Sequence, residues 1–363
     1  MVATAVIPVT LLTGFLGSGK TTLLNRLVAD PAAGDCAVIV NEFGAVPIDH
    51  ALVRAASENI VLLPSGCVCC QVAGDLVTAM RDLHFKRAAG EIPAFGRAII
   101  ETTGLADPAP LLRTLIELPL VAARYALSGV VATVDGLHGM AQLDDHPEAL
   151  KQAAIADRIV ITKADLAPEA ALAALEARLA ALNPGAPRMR STMGDAPVER
   201  LLDTGLYRGT HRRPDPAAWL NAGAYRRVGA APGGAHDSRI RSFAWFARGA
   251  LEWAALEDAL ATLLDLAGER ILRVKGLVNV RGRDGPVAIH AVQHTLYPAA
   301  PLPAWLDGDR RTRIVFIVRD LEEAFVAQTL GTFVAENGDG FPAAAPAGDA
   351  ERKSGPSIEP APR

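Results

Sequence analysis

The chain has 363 residues, with 36 Lys and Arg against 40 Asp and Glu for a formal charge of −4, and half of its residues are hydrophobic. That length and apolar fraction suit two domains with substantial cores, and the charge balance excludes a general nucleic-acid or anionic-membrane surface. No run is long and apolar enough to span a bilayer, and four cysteines, three of them within four residues, are not a disulfide framework.

The N-terminal apolar run has no basic leader segment and reads as a strand, so no signal peptide is expected and the cytoplasm is the expected location. That strand, Ile7-Pro8-Val9-Thr10-Leu11-Leu12, leads into Gly14-Phe15-Leu16-Gly17-Ser18-Gly19-Lys20-Thr21. The octet fits G-x-x-x-x-G-K-[ST] at every fixed position, and helical apolar spacing follows from Thr22 to Val28. Glycines let the backbone turn its N–H groups onto a phosphate, and the helix N-terminus adds its partial positive charge. Gly14, Gly17, Ser18, Gly19, Lys20, Thr21 and Thr22 are therefore the expected phosphate site. Lys20 places a point charge on the outer phosphates and the Thr21 hydroxyl suits Mg²⁺.

A second buried strand, Cys36–Val40, ends in Asn41-Glu42-Phe43-Gly44, with Asp49 in the loop beyond. A third, Asn59–Leu63, leads into Gly66-Cys67-Val68-Cys69-Cys70, and helical spacing runs from Leu76 to Leu83. Three thiolates so close suit one thiophilic ion, Zn²⁺ foremost, and leave a coordination position open, which suits transfer better than a closed structural site. A redox dithiol is the alternative chemistry. Cys36 lies mid-strand and is expected in the core.

Strands at Arg97–Ile100, Gly129–Val134 and Asp157–Ile161 close on Glu101, Asp135 and Thr162-Lys163-Ala164-Asp165 respectively. Ligands of open parallel sheets bind at such carboxyl ends. Glu101 occupies the place of a Mg²⁺-holding carboxylate, and Glu42 and Asp49 sit on a loop suited to sensing a γ-phosphate. The Asp165 carboxylate suits the two donors of a guanine edge, with Lys163 over the base, so Thr162, Lys163 and Asp165 are the expected base site. Lys20, Thr21 and Glu101 are the expected catalytic set. The helix from Glu169 to Leu182 stops at Asn183-Pro184-Gly185.

Strands alternating with helices imply a doubly wound, mostly parallel α/β sheet for residues 1–208. Residues 209–237 shift to Arg, Pro, Gly and Ala and read as a linker with a helical segment near Trp219. Strands from Ile240, Ile271, Val287 and Arg313, with helices from Leu251 and Leu321, predict a smaller α+β domain over 238–335, its sheet antiparallel and its helices on one face. Residues 336–363 have the composition of a disordered tail.

The motifs Gly14 to Thr22, Asn41 to Gly44, Gly66 to Cys70, Glu101 to Pro108 and Thr162 to Asp165 follow the order seen in the CobW-type GTPases. Arg273-Val274-Lys275-Gly276 and Val292-Gln293 resemble the C-terminal domain of that family. The resemblance covers about residues 5 to 335. It implies a GTPase cycling between GTP and GDP that carries zinc or cobalt on Cys67, Cys69 and Cys70 and passes it to a client metalloprotein. No nucleic acid or membrane partner is implied, and a homodimer stays open. The chain departs from the family in lacking a histidine-rich linker and in carrying Ala45 and Val46 where some relatives have an added acid. Glu42, Asp49 or a client side chain are then the candidates for a further metal ligand. A nucleotide-gated regulatory protein with a redox thiol loop and no cargo metal is the alternative.

Overall fold

The computed structural model describes residues 6–40, 61–64, 72–202, 219–227, 239–305 and 308–335, with the side chains of 61–64, 72–75, 226–227 and 335 outside that description. Glu42, Asp49, Cys67, Cys69 and Cys70 lie outside the described residues, as do most of the expected linker and the whole expected tail.

Among the described residues, the first unit is a seven-stranded sheet in the order β3-β2-β4-β1-β5-β6-β7. The strands are β1 (Ile7–Gly14), β2 (Cys36–Val40), β3 (Val61–Pro64), β4 (Arg97–Glu101), β5 (Tyr125–Asp135), β6 (Arg158–Thr162) and β7 (Arg188–Arg190). Every pairing is parallel. Every residue of β1 and β2 is buried, which is why these segments read as continuous apolar runs rather than alternating ones. One face packs Leu12, Val38 and Val131 against Leu23, Leu24 and Leu27 of helix Lys20–Ala29. The other packs Leu11, Ile39 and Ile100 against Met80 and Leu83 of helix Val72–Ala89 and Leu112 and Leu115 of helix Ala109–Glu117. Cys36 is buried as expected, its thiol donates to the Ala33 carbonyl at 3.4 Å, and burial pushes it up to about 11.

The second unit is a sheet in the order β12-β11-β10-β14-β9-β8, with β13 on β11. Its strands are β8 (Arg226–Arg227), β9 (Ile240–Ala247), β10 (Ile271–Val278), β11 (Val287–Val292), β12 (Thr295–Leu296), β13 (Ala300–Pro301) and β14 (Thr312–Arg319). All pairings are antiparallel except β8 with β9. Helices Trp253–Ala267 and Glu323–Ala335 cover one face, where Phe243, Val274, Ile289 and Phe316 meet Leu260, Leu263, Val326 and Leu330.

The other face of that sheet is buried against the first unit. Ala244, Leu272, Leu277, Val315 and Ile317 share a core with Ala153, Ala154, Leu179 and Leu182 of the nucleotide-side helices. Trp219, Leu220, Ala222 and Tyr225, from the stretch expected as linker, are buried in the same core. At its centre Arg273 donates to the Asp157 carboxylate and to the Ile155 carbonyl. Lys275 Nζ donates to the same Asp157 Oδ1 at 2.6 Å and to the Trp219 carbonyl at 3.2 Å. Burial works to raise Asp157, but Arg273, Lys275 and His290 outweigh it and hold the carboxyl far below its ordinary range. Burial and the neighbouring Arg273 in turn pull Lys275 below its ordinary value, against the attraction of Asp157. Among the described residues, no helix is long and apolar enough to cross a membrane.

Candidate functional site

β1 ends on Gly14, where a Cβ would lie 2.2 Å from Thr133 Oγ1 and 2.5 Å from the Thr133 carbonyl. Only a glycine lets the chain leave the sheet there. Gly17 and Gly19 take φ of +70° and +83°, and Gly19 caps helix Lys20–Ala29. Ser18 is fully buried, its hydroxyl 2.7 Å from Thr133 Oγ1. Lys20 is 8% exposed and its Nζ donates to the carbonyls of Gly14 at 2.9 Å and Phe15 at 3.1 Å, folding the ammonium across the mouth of the loop. The residues expected to hold phosphates are thus brought together in one loop at the end of β1.

Glu101 closes β4, hydrogen-bonded in register beside β1, and is 4% exposed. Thr21 Oγ1 donates to its Oε1 at 2.8 Å. A hydroxyl and a buried carboxylate at this separation are two hard oxygen donors at the first turn of the phosphate helix, a donor set that fits Mg²⁺. The backbone beyond Glu101 is held closely. Thr102 N–H donates to the Leu12 carbonyl at 2.9 Å and Thr102 Oγ1 to Thr13 Oγ1 at 2.9 Å. A Cβ on Gly104 would lie 2.6 Å from the Leu16 nitrogen, so this segment lies directly on the phosphate loop.

On the far side, Thr162 Oγ1 donates to the Ser18 carbonyl at 2.8 Å, tying the base segment to the phosphate loop. Lys163 adopts φ +52° and donates to Asp135 Oδ2 at 2.6 Å. Burial works to raise Asp135, yet Lys163 and the N–H groups of Leu137 and His138 outweigh it and hold it below its ordinary value. Asp165 is exposed at the sheet edge, open to a ligand.

The sequence reading missed the segment Ser191–Gly194. It leaves β7 beside the base segment, with Ser191 N–H donating to the Ile161 carbonyl at 2.8 Å and Ala164 N–H to the Ser191 carbonyl at 3.3 Å. Met193 and Gly194 have φ of +50° and +79°, and a Cβ on Gly194 would lie 2.8 Å from the Thr22 carbonyl. This puts the segment, with Met193 exposed on it, beside Thr162–Asp165 and the first turn of helix Lys20–Ala29. The strand before it has three residues, two of them arginine, which hides it from a search for apolar runs; the small, polar Ser-Thr-Met-Gly cluster is the signal that marks it.

Among the described residues no group of His, Cys, Asp and Glu forms a metal site. The strands that lead to the predicted thiol loop are nonetheless described. In register, Val40 pairs with Pro64 on one side and with Glu101 on the other. β2 and β3 therefore end at the sheet edge that carries Glu101. Pro64 and Glu101 are two strand spacings apart, about 10 Å.

A parallel sheet with a phosphate cradle on one strand end and an open acid two strands along is the frame of P-loop nucleotide-binding proteins. Within that class the chain belongs to the CobW/HypB/UreG family: residues 8–190 match its nucleotide-binding domain, and residues 240–334 match the cobalamin synthesis protein CobW C-terminal domain. It is similar to the zinc chaperone YjiA of Escherichia coli, 33% identical over 317 residues that span 87% of this chain and 95% of YjiA. It is also similar to the zinc chaperone CobW of Pseudomonas aeruginosa, 29% identical over 363 residues, 91% of this chain and 92% of that one. The crystal structure of Zn(II)-bound YjiA GTPase from E. coli superposes with a TM-score of 0.65 at 28% identity, covering 91% of this chain and 99% of YjiA.

Proposed function

We propose that this GTPase is a metallochaperone that loads zinc, or cobalt, on Cys67, Cys69 and Cys70 and hands it to a client metalloprotein in step with its GTP cycle. The GTPase half follows from family membership and from the YjiA GTPase it superposes on. The relatives called zinc chaperones supply the metal half. The single observation that supports the coupling is the register Pro64–Val40–Glu101, which ends β3, β2 and β4 at one edge of the sheet.

In this reading Lys20 and the loop N–H groups hold the phosphates, while Thr21 and Glu101 hold Mg²⁺, which when bound neutralises charge on the phosphate oxygens. Glu42 or Asp49 completes the metal site when no client side chain does. The thiol assignment is tested on protein purified without chelator: about one zinc per chain is expected, lost on Cys69→Ser. Reversible disulfide formation without metal uptake would instead establish the redox alternative.

Asp165 reads guanine by accepting from its N1 and N2 donors. Adenine lacks that donor pair and forgoes both charge-assisted hydrogen bonds, which disfavours it. Asp165→Ala is expected to erase the preference for GTP over ATP, read as the ratio of kcat/KM values. An unchanged ratio would remove Asp165 from the base site.

A further inference from the structure

The C-terminal domain touches the segment that follows Glu101 at both ends of one helix. Asp107 lies just before helix Ala109–Glu117, and its Oδ1 accepts from the Ala109 N–H at 3.0 Å. Asp107 Oδ2 accepts from Lys151 Nζ at 2.6 Å and, across the domain boundary, from Gln293 Nε2 at 3.3 Å. At the other end, Thr295 Oγ1 donates to Glu117 Oε1 at 3.1 Å. Gln293 and Thr295 belong to one tight hairpin, in which Val292 pairs with Thr295.

The intervening backbone is gripped by Gln152. Its Nε2 donates to the carbonyls of Gly104 and Ala106, each at 3.1 Å, and the side chain is 1% exposed. Gly104 rests on the Leu16 backbone of the phosphate loop. The stretch Thr102–Asp107 therefore runs between two fixed points. One end lies on the phosphate loop; the other is a carboxylate shared between a lysine of the nucleotide domain and a glutamine of the C-terminal domain.

The backbone at Gln293 argues that the side chain is what the site requires. It sits at φ +50° in a two-residue turn, a conformation that asparagine or glycine takes more readily than glutamine. Turn chemistry alone would place a different residue there. Glutamine adds one methylene of reach, and that reach ends on Asp107.

We infer that Gln293 is a positioning residue for GTP hydrolysis: through Asp107 it holds the segment Thr102–Asp107 in register with the phosphate loop, so that the C-terminal domain is wired to turnover. The inference rests on the assignment of Glu101 and its following segment to the nucleotide site. It does not depend on metal transfer. Displacement of a reacting site by a fraction of an ångström is enough to slow chemistry severalfold.

Gln293→Asn separates the two roles, because asparagine suits the turn and is too short for Asp107. The test is a double-mutant cycle in the full chain with Gln293→Asn, Asp107→Ala and both together, scored by kcat, by KM for GTP and by GDP affinity. Gln293→Asn is expected to lower kcat 3- to 10-fold, with GDP affinity and the melting temperature of wild type. The double variant is expected to match Asp107→Ala within twofold in kcat. Multiplicative effects, or an unchanged kcat in Gln293→Asn, would overturn the inference. Glu101→Gln is measured alongside: if it leaves kcat intact, the fault lies with the site assignment underneath rather than with Gln293.

Discussion

Lys20→Ala is expected to slow GTP turnover about 10²- to 10³-fold, the range lost when a charge-stabilising donor is removed from a pre-organised site. The lysine is already in place before any phosphate arrives, 8% exposed and hydrogen-bonded to the Gly14 and Phe15 carbonyls. On the proposed assignment, phosphate oxygens take the place of those two carbonyls at the ammonium. The loss should appear in both GTP affinity and kcat, because the charge on the outer phosphates grows only partly in the transition state. The strand and helix flanking the loop are buried independently of Lys20, so the melting temperature should fall by a few degrees at most. Turnover within threefold of wild type would mean that the cradle is not where GTP is hydrolysed.

Asp157→Asn is expected to destabilise the chain by about 3–5 kcal/mol, the range for breaking a buried ion pair by removing one partner. Arg273 and Lys275 would then share a buried interface with no carboxylate opposite them, both being under 10% exposed. Denaturant unfolding measures this, through a lower midpoint for the transition that separates the two units. A double variant, Asp157→Asn with Arg273→Met, should recover part of the loss, since it removes one of the two buried cations left without a carboxylate. A companion result follows from acid. The native pKa of Asp157 is depressed, so its stabilisation is complete above the ordinary aspartate pKa of about 4 and is lost as pH falls below it. Wild type should therefore lose stability below about pH 4 along a course that Asp157→Asn does not follow. Equal midpoints for the variant and wild type at neutral pH would show that the buried cluster does not hold the domains together.

The phosphate cradle was legible because its chemistry is local. Eight consecutive residues fix a turn, a charge and a helix start, and no distant contact is needed to recognise them. The alternation of strands and helices was legible for the same reason, since both faces of β1 and β2 are covered and their sequences are uninterruptedly apolar. The domain interface was not. Arg273 and Lys275 alternate with Val274 and Gly276, a pattern that ordinarily marks a solvated strand face. Here every residue of β10 is buried, and the charged face is turned inward onto Asp157. No pattern within β10 reveals a partner 116 positions away in sequence. The helices Gly139–Asp145 and Pro147–Ile155 likewise passed unmarked, being seven and nine residues long and so too short to show a period. The second of them carries Lys151 and Gln152, the residues that grip the segment after Glu101.

The central claim is that one sheet edge couples nucleotide state to metal grip, and zinc titration of the full chain measures it most directly. The titration is run once with GDP and once with a non-hydrolysable GTP analogue. At least a fivefold difference in Kd, about 1 kcal/mol of coupling, is predicted, with the difference abolished in Cys67→Ser. Equal affinities in the two nucleotide states would contradict the account, since a ligand shifts only an equilibrium whose two states it binds unequally.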